Sequence, residues 1–187
     1  MQLNTILPDF SLKGTDGRMH STRDYADKDA VVIIFTCNHC PYARAYAERI
    51  SRLVAEYEKR NVGFYAINAN DVARYPEDSF ENMIPMGKML NLDGKYLFDE
   101  TQEIARTFAA ERTPEVYVFD KQRRLVYHGL IDDNANYKEP REIKRHYLRE
   151  ALEAVLSGKE IAVNDTKPVG CTIKWKPEGS LEFYGSK

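Results

Sequence analysis

Cysteine is scarce in this chain, with three residues in 187. That is too few for a disulfide framework in a chain of this size, so the thiols point to chemistry rather than stapling. Long hydrophobic runs are missing. The longest continuous one, Ala30 to Phe35, falls far short of the roughly 20 apolar residues that a membrane-spanning helix needs. The first ten residues, Met1 to Phe10, have no basic start and no long apolar core, so they do not read as a secretory signal. Net charge is only -2. Lys and Arg are scattered along helical patterns and read as solvated faces, without the basic stripe of a nucleic-acid binder. Internal repeats and low-complexity segments are absent. These absences predict a cytoplasmic protein with neither a membrane nor a nucleic acid as partner.

What remains is a chain with 43% apolar and 30% charged residues, ordinary for a soluble protein and long enough to bury a core without disulfides. One segment stands out. Val31-Val32-Ile33-Ile34-Phe35 is β-branched and apolar without alternation, the pattern of a strand buried on both faces. It runs through Thr36 into Cys37-Asn38-His39-Cys40-Pro41. A helical stripe follows at once through Tyr42, Tyr46, Ile50, Leu53, Val54 and Tyr57. Pro41 suits the first helical turn, where its missing N–H costs nothing. Two thiols therefore fall where a buried strand meets a helix N-terminus, and free N–H groups and the macrodipole there favour a thiolate.

The rest of the chain reads as alternating elements. Phe10 to Leu12 and Met19-His20 flank Asp16-Gly17 as a hairpin. Val62 to Ala69 is a second strand, completing a β-α-β unit with parallel strands. Glu77 to Asn91 is helix-like, with Pro85 expected to kink or divide it. Leu97 to Asp99 is extended, and Thr101 to Ala110 is a short helix. Glu115 to Asp120 and Arg124 to His128 form a hairpin. Arg141 to Leu156 is a long amphipathic helix, with Gly158 beyond its end. From Ile161 onward the chain is irregular, with an apolar patch at Cys171, Ile173 and Trp175. The order predicts an α/β fold with a mixed sheet covered by helices.

Cys37-Asn38-His39-Cys40-Pro41 after a hydrophobic strand, with Thr113-Pro114-Glu115 far downstream, resembles the thioredoxin superfamily. Leu7-Pro8-Asp9-Phe10 and Asp16-Gly17 look like the N-terminal extension of peroxiredoxins and membrane-tethered thiol reductases. Together with Cys171-Thr172-Ile173-Lys174-Trp175, the chain is most similar to peroxiredoxin-like (AhpC/TSA-type) proteins that carry a thioredoxin-type Cys-x-x-Cys. The resemblance implies one thioredoxin-like domain over 1–187. Within it, 1–29 is an N-terminal hairpin extension, 30–158 the core and 159–187 a C-terminal extension. It also implies an exposed attacking thiol at Cys37, a resolving thiol at Cys40, and a cis Thr113–Pro114 bond facing them.

The chemistry expected is thiol–disulfide exchange. Cys37 attacks a substrate disulfide, and Cys40 resolves the mixed disulfide. His39, with no acidic neighbour in the motif, is expected to help the helix end stabilise a Cys37 thiolate. That gain predicts a poise more oxidising than thioredoxin's. The alternative is a thiol peroxidase, with the peroxidatic sulfur at Cys40 or Cys37 and resolution by its neighbour. Against it, Cys37 stands where peroxiredoxins have a threonine, and no arginine can be assigned to complete a peroxide site. Partners would be protein disulfides or a dithiol reductant, with peroxide in the alternative, and the chain would be a monomer or weak dimer. No cofactor and no metal is assigned: a zinc site from Cys37, Cys40, Cys171 and a histidine lacks the usual second close-spaced pair. Cys171 itself reads either as packing beside Ile173 and Trp175 or as a third redox thiol. Asn68, Asn70 and Asp71 read as turn and capping residues at a strand end, where ligand loops also lie.

Overall fold

The computed structural model describes residues 1–139 and 141–178. The expected C-terminal extension therefore lies partly outside the described residues. β3 (Ala30–Phe35) and β4 (Val62–Asn68) are parallel neighbours, in register from Ala30 opposite Val62 to Phe35 opposite Ile67. The connecting helix is α1 (Pro41–Tyr57). β7 (Glu115–Phe119) runs antiparallel on the other side of β3, followed by β8 (Leu125–Gly129). β5 (Tyr96–Phe98) lies parallel to β4, and the hairpin of β1 (Ser11–Gly14) and β2 (Met19–Ser21) extends that edge. The result is a seven-stranded mixed sheet in the order β2-β1-β5-β4-β3-β7-β8. A separate two-stranded ribbon pairs β6 (Arg112–Thr113) with β9 (Cys171–Thr172).

β3 explains the two-faced core. All six of its residues are fully buried, and successive side chains point to opposite faces. Ala30, Val32 and Ile34 pack with α1, with α2 (Phe80–Met89) and with α4 (Tyr147–Ser157). Val31, Ile33 and Phe35 pack with Phe10, Tyr25 and Phe108 from the N-terminal segment and α3 (Glu103–Phe108). Burying each such side chain contributes about 1.5–3 kcal/mol, so both faces hold the strand whose end carries the thiols. α1 is also tied at its middle. Tyr46 donates its hydroxyl to Asp132 Oδ1 at 3.0 Å, and Arg49 Nη1 meets both carboxylate oxygens of Asp132 at 2.7 Å.

α1 ends at Tyr57, and a 3-10 turn over Glu58–Arg60 leads to Asn61, whose left-handed backbone closes the end. Two other elements differ from the sequence reading. α2 runs through Pro85 as one element; the carbonyl that loses its donor belongs to Glu81, which is exposed. α4 begins at Tyr147 rather than Arg141. Asp133 and Asn134 explain the shift, because their side chains bind Lys144 N and Arg141 O, while Asp133 N bonds to Arg145 O. Those local bonds compete with a helical first turn.

Candidate active site

β3 ends at Phe35 and α1 begins at Pro41, so Cys37 to Cys40 form the connecting bend and Cys40 is the residue capping the helix. Pro41 occupies the first helical position, as expected. Thr113 faces both sulfurs. Its hydroxyl lies 3.5 Å from Cys37 Sγ, and Cys40 Sγ donates to its carbonyl at 3.4 Å. The Thr113–Pro114 bond is cis. Cys171 pairs with Thr113 across the β6–β9 ribbon and packs with Cys37, Cys40 and Ala43. The adjacent pair and the remote Cys171 thus form one cluster, and all three are free thiols.

The expected exposed thiol at Cys37 is corrected. Cys37 and Cys40 are both fully buried, and only Cys171 is partly exposed. Cys171 of β9, which pairs with β6, and Tyr42 of α1 pack against them.

His39 gains an acidic neighbour that the motif itself lacks, and it comes from another segment. Asp78 is fully buried beneath the bend. Its Oδ1 accepts the amides of Asn38 and His39 at 2.8 and 3.1 Å. Its Oδ2 meets His39 Nδ1 at 2.6 Å and accepts from Asn70 Nδ2 at 2.7 Å. Asn68 Nδ2 binds the Asp78 carbonyl. The imidazole is thus held by a carboxylate and stacks on Tyr75 at 5.6 Å. Asn38 is fixed from both ends, by Tyr96 OH on its Oδ1 and by the Glu77 carbonyl on its Nδ2. Asp78, Tyr75 and Tyr96 escaped the sequence reading; the cluster of Asn68 and Asn70 after β4 was the available signal.

The two buried sulfurs share one ionisation. The hydrogen bond with Cys40 raises the Cys37 thiol, and burial and the Asp78 charge add to that. Cys40 is lowered, first by Cys37 and against burial, then by the Cys171 thiol and the backbone amides of Ala43 and Cys171. Burial raises Cys171, and its bond to Cys40 adds to this. Within the pair, the shared hydrogen bond raises Cys37 and lowers Cys40, which sits beside the helix start. The groups that weigh most on Cys37 and Cys40 include no arginine.

Cys37, His39 and Asp78 carry donor atoms within 4.8 Å of one another. Both Asp78 oxygens and His39 Nδ1 are already engaged with each other and with neighbouring amides. Asp78 and His39 act as a hydrogen-bonded brace for the bend, and no metal is assigned to the trio.

Fold and site together define a redox protein of thioredoxin-like architecture. The AhpC/TSA family matches residues 3–128, and the chain belongs to that family. It is similar to a hypothetical protein of Sinorhizobium meliloti 1021, with 31% identity, TM-score 0.88, and coverage of 94% of this chain and 96% of that one. It is equally similar in shape to an uncharacterized conserved protein of Geobacillus kaustophilus, with 38% identity, TM-score 0.88, and coverage of 94% and 93%. More distant likeness extends to a putative thiol:disulfide interchange protein of Chlorobium tepidum, with 16% identity, TM-score 0.63, and coverage of 83% and 99%. No curated protein matches the chain.

Proposed function

We propose that this protein is a thiol–disulfide oxidoreductase that exchanges disulfides with protein substrates through the Cys37/Cys40 dithiol. One observation carries the reading: both sulfurs sit at the β3–α1 junction against Thr113, with a thiolate favoured on one of them. Exchange needs an anionic sulfur and a second sulfur in reach, and the bend supplies both. His39, Asn38 and Pro41 act as positioning residues, through Asp78, Tyr96 and the helix start respectively. Burial of the pair means that a protein substrate gains access only when β9 moves aside.

The test is substrate capture in cell extract with single-cysteine replacements. If Cys40 is the attacking thiolate, Cys37→Ser accumulates mixed disulfides and Cys40→Ser does not, both read in a Cys171→Ser background so that the third thiol cannot release the substrate. The reverse pattern returns the attacking role to Cys37. No captured protein with either variant sinks the reading. The lowered Cys40 thiol favours one competing reading, a peroxidase with Cys40 as the peroxidatic sulfur, since a small peroxide can enter where a protein cannot. Stopped-flow reaction with hydrogen peroxide decides between them, and a rate no faster than that of a free thiol removes the peroxidase.

A further inference from the structure

The C-terminal segment holds the position that an extended substrate would take. β6 offers its backbone edge beside the buried sulfurs, and β9 fills that edge in antiparallel register, Thr113 opposite Cys171 and Arg112 opposite Thr172. The approach is very close at Gly170: a Cβ there would fall 2.1 Å from the Thr113 carbonyl oxygen, so no larger residue fits without displacing the strand.

The segment is seated by several independent bonds. Arg112 Nη1 donates to the Gly170 carbonyl at 3.3 Å, and Ile173 N bonds to Glu111 O at 3.0 Å. Asn70 Oδ1 accepts from Lys174 N at 2.9 Å, while Asp71 N donates to Lys174 O at 2.8 Å. Gln102 is almost wholly buried and reads both sides of the segment. Its Nε2 donates to Lys174 O at 2.9 Å, and its Oε1 accepts from Lys176 N at 2.9 Å. Trp175 lies under the Arg106 guanidinium at 4.7 Å. This seating packs Cys171 against Cys37 and Cys40, opposite the Thr113 that faces both sulfurs, and Cys171 is the one cysteine of the three that is not fully buried.

We propose that Cys171 is the resident exchange partner of Cys40, carried by β9 as a tethered substrate strand, and that it links the sealed pair to the outside. The inference rests on the dithiol reading above. In the step proposed, β9 first lifts, a substrate disulfide oxidises the pair to a Cys37–Cys40 disulfide and leaves as two thiols, and β9 then reseats. Cys171, losing its proton, attacks Cys40 Sγ. The Cys40–Cys171 bond forms as the Cys37–Cys40 bond breaks, and Cys37 receives the electron pair and one proton. Nothing is oxidised or reduced overall. An external dithiol then attacks Cys171 Sγ, freeing Cys40 and restoring the reduced protein as the external pair becomes a disulfide.

The experiment uses full-length Cys37→Ser, oxidised with diamide and mapped as non-reduced peptides by mass spectrometry. The expected product is a monomer with a Cys40–Cys171 disulfide and no alkylatable thiol left. If both thiols stay free, or Cys40 appears only in intermolecular bonds, the inference falls. Gly170→Ala in the same background tests the strand. Lifting β9 should slow bridge formation about tenfold or more and speed alkylation of Cys40 by iodoacetamide by a similar factor, since both follow the population of the open form. Unchanged rates would overturn the tethered strand. Wild-type protein that turns over protein disulfides while Cys37→Ser forms no bridge sinks this inference alone. A bridge without any such turnover sinks the proposed function and leaves the bridge standing.

Discussion

Asp78→Ala is expected to cost about 3–5 kcal/mol of stability, the range seen when one member of a buried charged network is removed. The carboxylate holds two backbone amides of the Cys37–Cys40 bend, the His39 imidazole and the Asn70 amide at once. Removing it strands all four donors, three of them on the bend itself, and unsatisfied buried groups carry most of the loss. The urea midpoint measures this. Asp78→Asn keeps the shape and one acceptor oxygen but deletes the charge, so it separates bracing from electrostatics. Because that charge helps raise the Cys37 thiol, the asparagine variant should shift Cys37 ionisation to lower pH, as read by thiolate ultraviolet absorbance in a Cys40→Ser, Cys171→Ser background. No shift would mean that Asp78 is only a brace. A stability loss within about 0.5 kcal/mol for Asp78→Ala, ordinary for a surface substitution, would mean that it is not even that.

Glu115→Ala should have a similar cost, about 3–5 kcal/mol, but with a distinctive pH dependence. Glu115 is buried beside Pro114. Its Oε2 accepts the amides of Glu111 and Arg112 at 2.8 and 2.7 Å, and its Oε1 accepts from Tyr117 OH at 2.7 Å and meets His128 Nε2 at 2.8 Å. His128 has a second carboxylate, Asp165, on Nδ1 at 2.8 Å.

Burial pushes Glu115 up, but the bonds from His128, Tyr117 and the two amides outweigh it and leave the carboxyl below its ordinary 4.5. Burial pushes His128 down, and its two carboxylates outweigh that and leave it above its ordinary 6.5. A lowered acid contributes stability above 4.5 and loses it as pH falls through the folded value. A raised base contributes below 6.5 and loses it as pH rises through the folded value. Stabilisation by the pair is therefore greatest between about pH 4.5 and 6.5. The gap between wild type and Glu115→Ala in urea titrations should be widest there and narrow at higher pH. A gap that stays constant across pH 5 to 9 would show that the His128 charge contributes nothing, leaving only the neutral bonds.

The parts of this molecule that could be read from sequence are those with strong periodicity or fixed local chemistry. Ala30–Phe35 was legible because a strand buried on both faces shows no alternation, and Pro41 marked the helix start next to it. The thiol cluster was only half legible. Cys37 and Cys40 lie together along the chain, but Cys171 reaches them through a two-residue ribbon, too short to carry a pattern. Its neighbour Gly170 looks like any loop glycine until the Thr113 carbonyl is placed against it.

The partner of His39 was illegible for the same kind of reason. Within the motif it has no acidic partner, and the carboxylate that claims it arrives from a polar loop with no periodicity to place it. Exposure of Cys37 failed as an expectation because it depends on what packs against the bend, and Cys171 comes to it on a segment whose anchors, Asn70 and Gln102, are ordinary polar residues in sequence. The start of α4 moved because Asp133 and Asn134 act across a loop, which a hydrophobic stripe cannot register.

The Asp132 tie to Tyr46 and Arg49 bears on how little has to move. It grips the helix at mid-length, well away from its sulfur-bearing tip. Joining or parting the thiols then rearranges a handful of atoms at one end of a rod already pinned to the body, while the apolar stripe against the sheet keeps its seating. Loosening that pin with Arg49→Leu would let the whole rod drift, and a small chemical event at its tip would be felt throughout the protein.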